Sequence, residues 1–532
     1  MERHDAIVIG GGLNGLTAAA YLARAGARVL LLERNAVLGG ADAACEIAPG
    51  FQIARYNLGL SALPARIVSE LELGRYGLRS LRVDGGVSLL EGGGYIASYR
   101  DGIVHRRELA RFSLKDADAW TRFRRDMLRG VQQLRPLLAA PLPDPSRLSF
   151  ATLRRLLKTA SRWGGIEADA LHELTRLWTL SCADFLDDYF ESDDIKARLA
   201  SDALLGVGFG PRAPTSARYL LGAFLEETVG ASAGAPARQL AVGGPAAVAN
   251  ALASAIAAHR GTIRTEAEVT DVLMRDGAAR GVVLANGEEI YGRAILSDLD
   301  LKRTFLALFR WKELPEGFVE KVGRFRMRGV SAKINLALDA APEFPAVPAV
   351  CPAILGGVRL ATSFDEMERA CDDWRDRIPP RTPLIDALIP TLADRSLAPA
   401  GKHVMSVAVH YVPEALHDGP WTAERKDELA DLVVERLADH SPGIRDRIVA
   451  LETLVPPDIE SEVGLTAGDL AQGETTLDQM FFNRPMAALA GNMTPVRDLY
   501  LCSASVHPAP IGAGYAGANA AALVAASLGK RG

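Results

Sequence analysis

The chain opens on an apolar strand, Ala6-Ile7-Val8-Ile9, that runs straight into Gly10-Gly11-Gly12-Leu13-Asn14-Gly15 and then into a helical stretch ending near Ala25. A second apolar run, Val29 to Leu32, follows and closes on Glu33. Strand, glycine turn, helix and strand in this order predict a dinucleotide-binding βαβ unit of Rossmann type. Gly10, Gly12 and Gly15 hold the G-x-G-x-x-G spacing, and each has its own task. Gly10 permits the tight turn, Gly12 lets backbone approach a pyrophosphate, and Gly15 lets the helix pack close to the sheet. The first turn of the helix, with Leu13 and Asn14, presents bare N–H groups and a positive dipole end to phosphate. Glu33 is placed to accept hydrogen bonds from a ribose diol and to repel a 2′-phosphate.

The next segment separates a flavin from a nicotinamide. Arg34 to Ala41 ends in the doublet Gly39-Gly40, where backbone without side chains can lie along an extended pyrophosphate and ribityl chain. Arg34, Gly39, Gly40 and Ala41 are therefore expected along one long cofactor, FAD.

With 532 residues and 48% hydrophobic content, the chain is long enough for two or three domains with large cores. Acidic residues (65) outnumber basic ones (60), so there is no electrostatic footprint for DNA or RNA and nucleic acid is not expected as a partner. Cys45, Cys182, Cys351, Cys371 and Cys502 are scattered without a C-x-x-C pair, which argues against a disulfide framework or a metal site and for a reducing cytoplasm. The first strand begins too early to leave room for a signal peptide. The most apolar long window, Ala241 to Ala258, contains Pro245 and Asn250 and reads as a buried helix rather than a membrane span. Peripheral membrane contact stays open, because apolar patches assemble only in three dimensions. The oligomeric state carries no sequence signal.

Along the chain, Arg66 to Gly74 reads as a short helix, and Val87–Leu90 with Tyr95–Tyr99 as a hairpin. Ser113 to about Tyr189 is helical in character, with Ser113 or Asp116 as cap and a break at Pro136, Pro141, Pro143 and Pro145. The dinucleotide domain resumes near Ala241: a helix from Ala246 to Ala258, then short strands through Ile263, Val269, Val283 and Ile295. Val269 is expected to offer backbone to an adenine edge. Strands Ala332–Leu338 and His403–His410 and the amphipathic helix Ala423–Ala438 describe a sheet floor under a helical cover. The expected fold is α/β and two-lobed. Residues 1–75, 235–300 and 465–532 build the FAD-binding domain, and residues 76–234 and 301–464 build a substrate domain of mixed sheet plus helices.

Near the C-terminus a strand, Leu499 to Cys502, leads through Ser503-Ala504-Ser505-Val506-His507-Pro508 to Gly512-Ala513-Gly514-Tyr515 and a last alanine-rich helix. Ser505, Gly512, Gly514 and Tyr515 are expected at the cofactor, where the helix N-terminus can stabilise negative charge at the isoalloxazine N1/O2 end. His507, on that loop, is the candidate catalytic acid–base group. Tyr56, Gln479 and Arg484 are candidate substrate contacts.

Several segments together resemble the phytoene desaturase-like FAD oxidoreductases. Within them they resemble the branch of pyridine nucleotide-disulfide oxidoreductase domain-containing protein 2 and the bacterial carotenoid ketolase and desaturase relatives. They are the N-terminal glycines with Glu33 and Gly39-Gly40, Arg111 to Ala117, Leu397 to Val404, Gly473 to Pro485, and Tyr500-Leu501-Cys502 with His507-Pro508. The chain departs from that pattern where Ala509-Pro510-Ile511 precedes Gly512 and where Ser503 replaces a common glycine. The resemblance implies non-covalent FAD and redox chemistry on an apolar or cyclic small molecule, with oxygen or a quinone as electron acceptor. An amine-oxidase-like flavoenzyme and a flavin-bearing scaffold with little turnover are the alternatives.

Overall fold

A strand with no polar residue between Ala6 and Ile9 has no side that tolerates water, and β1 (His4–Ile9) lies inside a sheet with a parallel neighbour on each edge. The computed structural model describes residues 3–59, 63–138, 153–154, 168–204, 206–225, 234–360, 363–489, 491–508 and 513–529. In it, β1 pairs with β2 (Val29–Leu32) and with the strand Glu289–Ser297. Thr262–Arg264 extends the parallel set beyond β2, and Leu499–Leu501 extends it beyond Glu289–Ser297. Val269–Arg275 and Ala278–Leu284 join through antiparallel pairing with the start of Glu289–Ser297. The first sheet is thus assembled from three distant parts of the chain.

Helix α1 (Leu13–Arg24) packs on this sheet together with the helices Ala246–Ala258 and Tyr515–Gly529. Their contact faces are alanine- and leucine-rich, so the backbones come close. A Cβ added at Gly517 would lie 2.0 Å from the Asn14 carbonyl oxygen. On the opposite side Ile7, Ile9 and Leu32 pack with Phe305, Phe309 and Phe318, so residues 301–327 join this core beyond the boundary expected at 300.

The second sheet runs Ile448–Leu454, Ser331–Leu338, His403–His410, Leu384–Leu388, Val358–Leu360, Gly86–Leu89, Tyr95–Ser98. All pairs are antiparallel except Val358–Leu360 with Gly86–Leu89. Side chains alternate across it. Ile334, Leu336, Val407 and Val409 face the helix Ala423–Ala438 through Leu429, Val433 and Leu437, and that helix is capped by the Thr422 hydroxyl. The intervening residues point the other way, toward the first lobe and a helical lobe. That lobe is built from Gly102–Ala110, Leu114–Leu138, Ala168–Thr179, Cys182–Asp187, Asp193–Leu204 and Ser216–Phe224 around Trp120, Phe123, Phe185 and Phe224.

Two local expectations are refined. Ser113 is the cap of the long helix, its hydroxyl accepting from the Asp116 N–H at 3.1 Å, while the Asp116 carboxylate accepts from the N–H groups of Glu191 and Ser192. The helix expected from Arg66 to Gly74 is split into Ala65–Glu70 and a turn at Leu73–Tyr76, because Glu72 adopts φ 52°. Pro136 stays inside Leu114–Leu138, and Pro141, Pro143 and Pro145 lie outside the described residues. No described helix is long and apolar enough to cross a membrane.

The packing of α1 on the last helix makes a prediction. Gly517→Ala forces a methyl against fixed backbone and is expected to cost about 1–3 kcal/mol, read as a lower melting temperature. Gly529→Ala, where nothing lies within 4 Å of the new atom, is expected to leave it unchanged.

Candidate functional site

The glycine turn after β1 is held open from two sides. Gly10 takes φ +100°, and the Glu33 carboxylate, 7% exposed, accepts from the Gly11 N–H at 2.7 Å through Oε2 and from the Asn35 N–H at 2.8 Å through Oε1. Gly39 donates its N–H to the Gly11 carbonyl at 2.9 Å, and a Cβ at Gly40 would sit 3.2 Å from Gly12 Cα. The two glycine segments therefore touch, and a side chain at Gly40, whose φ is +59°, would crowd Gly12. From the far end of the chain, the Gly514 N–H donates to Asn14 Oδ1 at 2.8 Å.

These contacts enclose a groove lined by Gly10–Asn14, Gly39–Asp42 and Asp298, with Ala504 and Ala513 at one end. It meets a second hollow of about 220 Å³ walled by Val269, Thr270 and Leu308, and Glu33 stands where the two join. An extended dinucleotide fits this shape: phosphates at the start of α1, a ribose at Glu33, a base against Val269. Arg34 borders that junction but turns its guanidinium to the carbonyls of Ser461 and Glu462, at 3.2 and 2.7 Å. A wider hollow of about 750 Å³ adjoins, with Tyr56 in its wall, its hydroxyl donating to Glu462 at 2.8 Å.

The electrostatics of the groove are unusual for a site shaped to take phosphates. Glu33, Asp42, Asp298 and Asp300 line it, and no lysine or arginine does among its described lining residues. Burial pushes the Asp298 carboxyl well above the usual carboxylate range, with Glu33 adding to the effect, and burial pushes Asp42 up to about 6 against the hydrogen bond from Asn57. Protonated carboxyls spare the groove some negative charge, and the attraction for an anion falls to backbone amides. Asp298 follows the strand beside β1, at the carboxyl end of a parallel sheet where ligands bind. Sequence reasoning missed it although that position signalled it.

The remaining candidates separate into groove and scaffold. Gly514 lies beside Asn14, and Tyr515 begins the last helix and packs on α1's cluster, whereas Gly512 lies outside the described residues. Ser505 is buried, donating to the Gln472 carbonyl and accepting from the Leu301 N–H, both at 3.0 Å. Gln479 accepts from the Arg326 N–H and donates to the carbonyls of Arg326 and Glu474. Arg484, fully buried, donates to the carbonyls of Ala504, Glu474, Gln479, Ala471 and Gly473. These three therefore tie the C-terminal loops together and do not wall the groove. His507 is 4% exposed, its ring 5.8 Å from Phe481, whose ring is 5.2 Å from Trp178 of the helical lobe. It sits at the seam between the tail loop and that lobe. No metal-ligating cluster exists among the described residues.

Lys333 also escaped sequence reasoning. It lies on the inner face of the second sheet with no exposed surface, its amine donating to Asn335, and burial pulls it down to about 7. Asn335 in turn donates to the Arg55 carbonyl and to Glu452, each at 3.0 Å.

Replacing Arg484 with Met strips five carbonyls of their shared donor. The expected cost is about 3 kcal/mol, and hydrogen exchange over residues 471–508 is expected to quicken while exchange in β1 stays slow.

Residues 8–67 match the model for an NAD(P)-binding Rossmann-like domain. The chain is 34% identical to the rat (Rattus norvegicus) pyridine nucleotide-disulfide oxidoreductase domain-containing protein 2, over 98% of this chain and 93% of the relative. It is 26% identical to a limonene dehydrogenase polypeptide of Castellaniella defragrans, over 99% and 96% of the two chains. Among solved structures, a triple mutant of putrescine oxidase redesigned in its cofactor binding superposes with a TM-score of 0.60 at 13% identity, covering 100% of this chain and 99% of that one, a likeness of fold. The extent of the match to the rat protein places the chain: it belongs to the family of pyridine nucleotide-disulfide oxidoreductase domain-containing protein 2, within the phytoene desaturase-like FAD-dependent oxidoreductases.

Proposed function

We propose that this oxidoreductase takes hydride from a hydrophobic or cyclic small molecule, as a dehydrogenase, desaturase or oxidase. The observation that carries the reading is the convergence of both chain ends on one groove, with the Gly514 N–H bound to Asn14 beside the phosphate turn. FAD supplies the hydride acceptor at its N5.

In this reading Gly10, Gly12, Leu13, Asn14 and Gly15 hold the pyrophosphate by backbone. Glu33 receives the ribose, Val269 the adenine edge, and Arg34, Gly39, Gly40 and Ala41 the intervening length. Gly514 and Tyr515 present the last helix's N-terminus to the N1/O2 end, and Ser505 fixes the loop that leads there. His507 handles the proton at the seam, Tyr56 borders the entry, and Gln479 and Arg484 act through the loops they brace. Limonene and prolycopene, named in two relatives, are the apolar kind of molecule meant. The enzyme is read as cytoplasmic, with oxygen or a quinone as electron acceptor, contact with a membrane limited to its surface, and no nucleic-acid partner.

The test is direct. Purified protein is expected to be yellow, and Gly12→Val to be colourless, since a Cβ there would lie 2.5 Å from Asp298 Oδ2. Wild-type protein that FAD neither binds nor stabilises would overturn the reading.

The acid-lined groove adds a pH dependence. A carboxyl raised above its ordinary range keeps its proton until the pH passes its folded pKa, and the charge it then gains opposes the pyrophosphate. The dissociation constant for FAD is therefore expected to rise with pH from about 6, where Asp42 titrates, by up to about tenfold per unit for each proton lost. Asp42→Asn with Asp298→Asn is expected to flatten that rise in a fluorescence titration of FAD binding.

A further inference from the structure

The second sheet's inner face carries a row of buried polar side chains. In register across adjacent strands stand Asp386, Arg359 and Ser88, which are 0%, 1% and 1% exposed. Over this row the helical lobe brings Asp202 and Arg198, and the segment entering the strand Arg238–Ala241 brings Arg238. Asp202 receives Arg198 at 3.1 Å, Arg238 at 3.5 Å and Arg359 in close contact, and Asp386 receives Arg238 and Arg359, each at 3.2 Å. Beside Asp386, burial pulls His410 down to about 4, so its ring is neutral.

Three guanidinium groups thus face two carboxylates in a cluster buried except at Asp202 and Arg238, whose side chains keep 24% and 16% of their surface, and this leaves one positive charge in excess. Several of its atoms also lack an aligned hydrogen-bond partner: Nε, Nη1 and Nη2 of Arg359, Nε and Nη1 of Arg198, and Oδ1 of Asp386. Such a cluster is costly to bury unless a counter-charge completes it. Next to it lies a cavity of about 280 Å³ with Asp202 and Arg238 at one end and Trp120, Phe123, Leu220 and Phe224 as apolar walls.

We propose that this cavity binds a small monoanion with an apolar body, its carboxylate meeting Arg238 and completing the cluster's charge balance, its hydrocarbon part lying against Trp120, Phe123 and Phe224. A carboxylate matches the planar fork of a guanidinium. An ammonium group is disfavoured by the same inventory, since both Asp202 oxygens already face arginine and the local excess is positive. The cavity shares no lining residue with the dinucleotide groove, so the inference goes beyond the proposed reaction and assigns a separate ligand site for an apolar acid.

Binding is measured without turnover, on the FAD-loaded protein, by calorimetric titration with octanoate, 1-octanol and octylamine, three probes that share a chain and differ in the head. Octanoate is expected to bind at least about tenfold more tightly than octanol, and octylamine least of all. Arg238→Met is expected to bring octanoate to the octanol level. Gly222 lines the cavity and an added Cβ there meets nothing within 4 Å, so Gly222→Leu is expected to fill the space and weaken octanoate and octanol alike while FAD stays bound. Equal affinity for octanoate and octanol, tightest binding of octylamine, no saturable binding of octanoate, or indifference to Gly222→Leu would each overturn the proposal. Flavin absorbance keeps the two failures apart, because yellow protein without octanoate binding sinks only this inference, and colourless protein sinks the flavin reading.

Discussion

Gly39 and Gly11 meet backbone to backbone at 2.9 Å, and that contact sets the shape of the dinucleotide groove. It requires Gly40 to come within a methyl's reach of Gly12, and it requires β2 to deliver its next turn directly over the start of α1. Glu33, at the end of β2, bonds both Gly11 and Asn35 and so fastens the two segments at their common edge. Once these turns are clasped, the last helix has one place to lie. Gly517 passes against the Asn14 carbonyl, and Asn14 receives the Gly514 N–H. Chain ends some 500 positions apart are joined by the Asn14 side chain and by the close approach of Gly517 to the Asn14 carbonyl, where a residue with a Cβ does not fit.

A groove made of backbone has an electrostatic consequence. Amide dipoles are fixed partial charges that need no side chain, so nearby side chains are not obliged to be basic. Here those lining the groove include four acids, two of them held protonated more readily than usual by burial. The helix dipole then carries the attraction for phosphate, and the acids set how it varies with pH.

The elements were largely legible because their signals are local. Pro245 before and Gly261 after bracket the helix Ala246–Ala258, and alternation alone defines His403–His410. The glycines of the groove were legible because each has a positional task that no other residue performs. The signals that failed were non-local. Arg484, expected as a substrate contact, has five carbonyls as its partners, and these are brought together only by the folded loops. Asp298 follows the strand Glu289–Ser297, and its nearness to Gly12 depends on the parallel pairing of that strand with β1. Phe305, Phe309 and Phe318 belong to the first lobe, and the helical spacing of Leu301, Phe305, Leu308 and Phe309 marks an apolar face without telling which lobe it meets.

The inner row of the second sheet escaped for the same reason, and its composition bears on what the enzyme encloses. Lys333, Asp386 and Arg359 lie on three different strands, and each reads in its own segment as an isolated polar residue among apolar ones. Period-two alternation should have marked them as solvent-facing, yet each is at most 1% exposed. The sheet's other face shows the ordinary solution, aliphatic side chains against an amphipathic helix. A face buried at the cost of desolvating lysine, aspartate and arginine is therefore not a core in the usual sense. Beside Asp386 and Arg359 lies the hollow walled by Trp120, Phe123 and Phe224, and a cavity with a polar end and apolar walls discriminates among apolar molecules by the one charged or hydrogen-bonding group they carry.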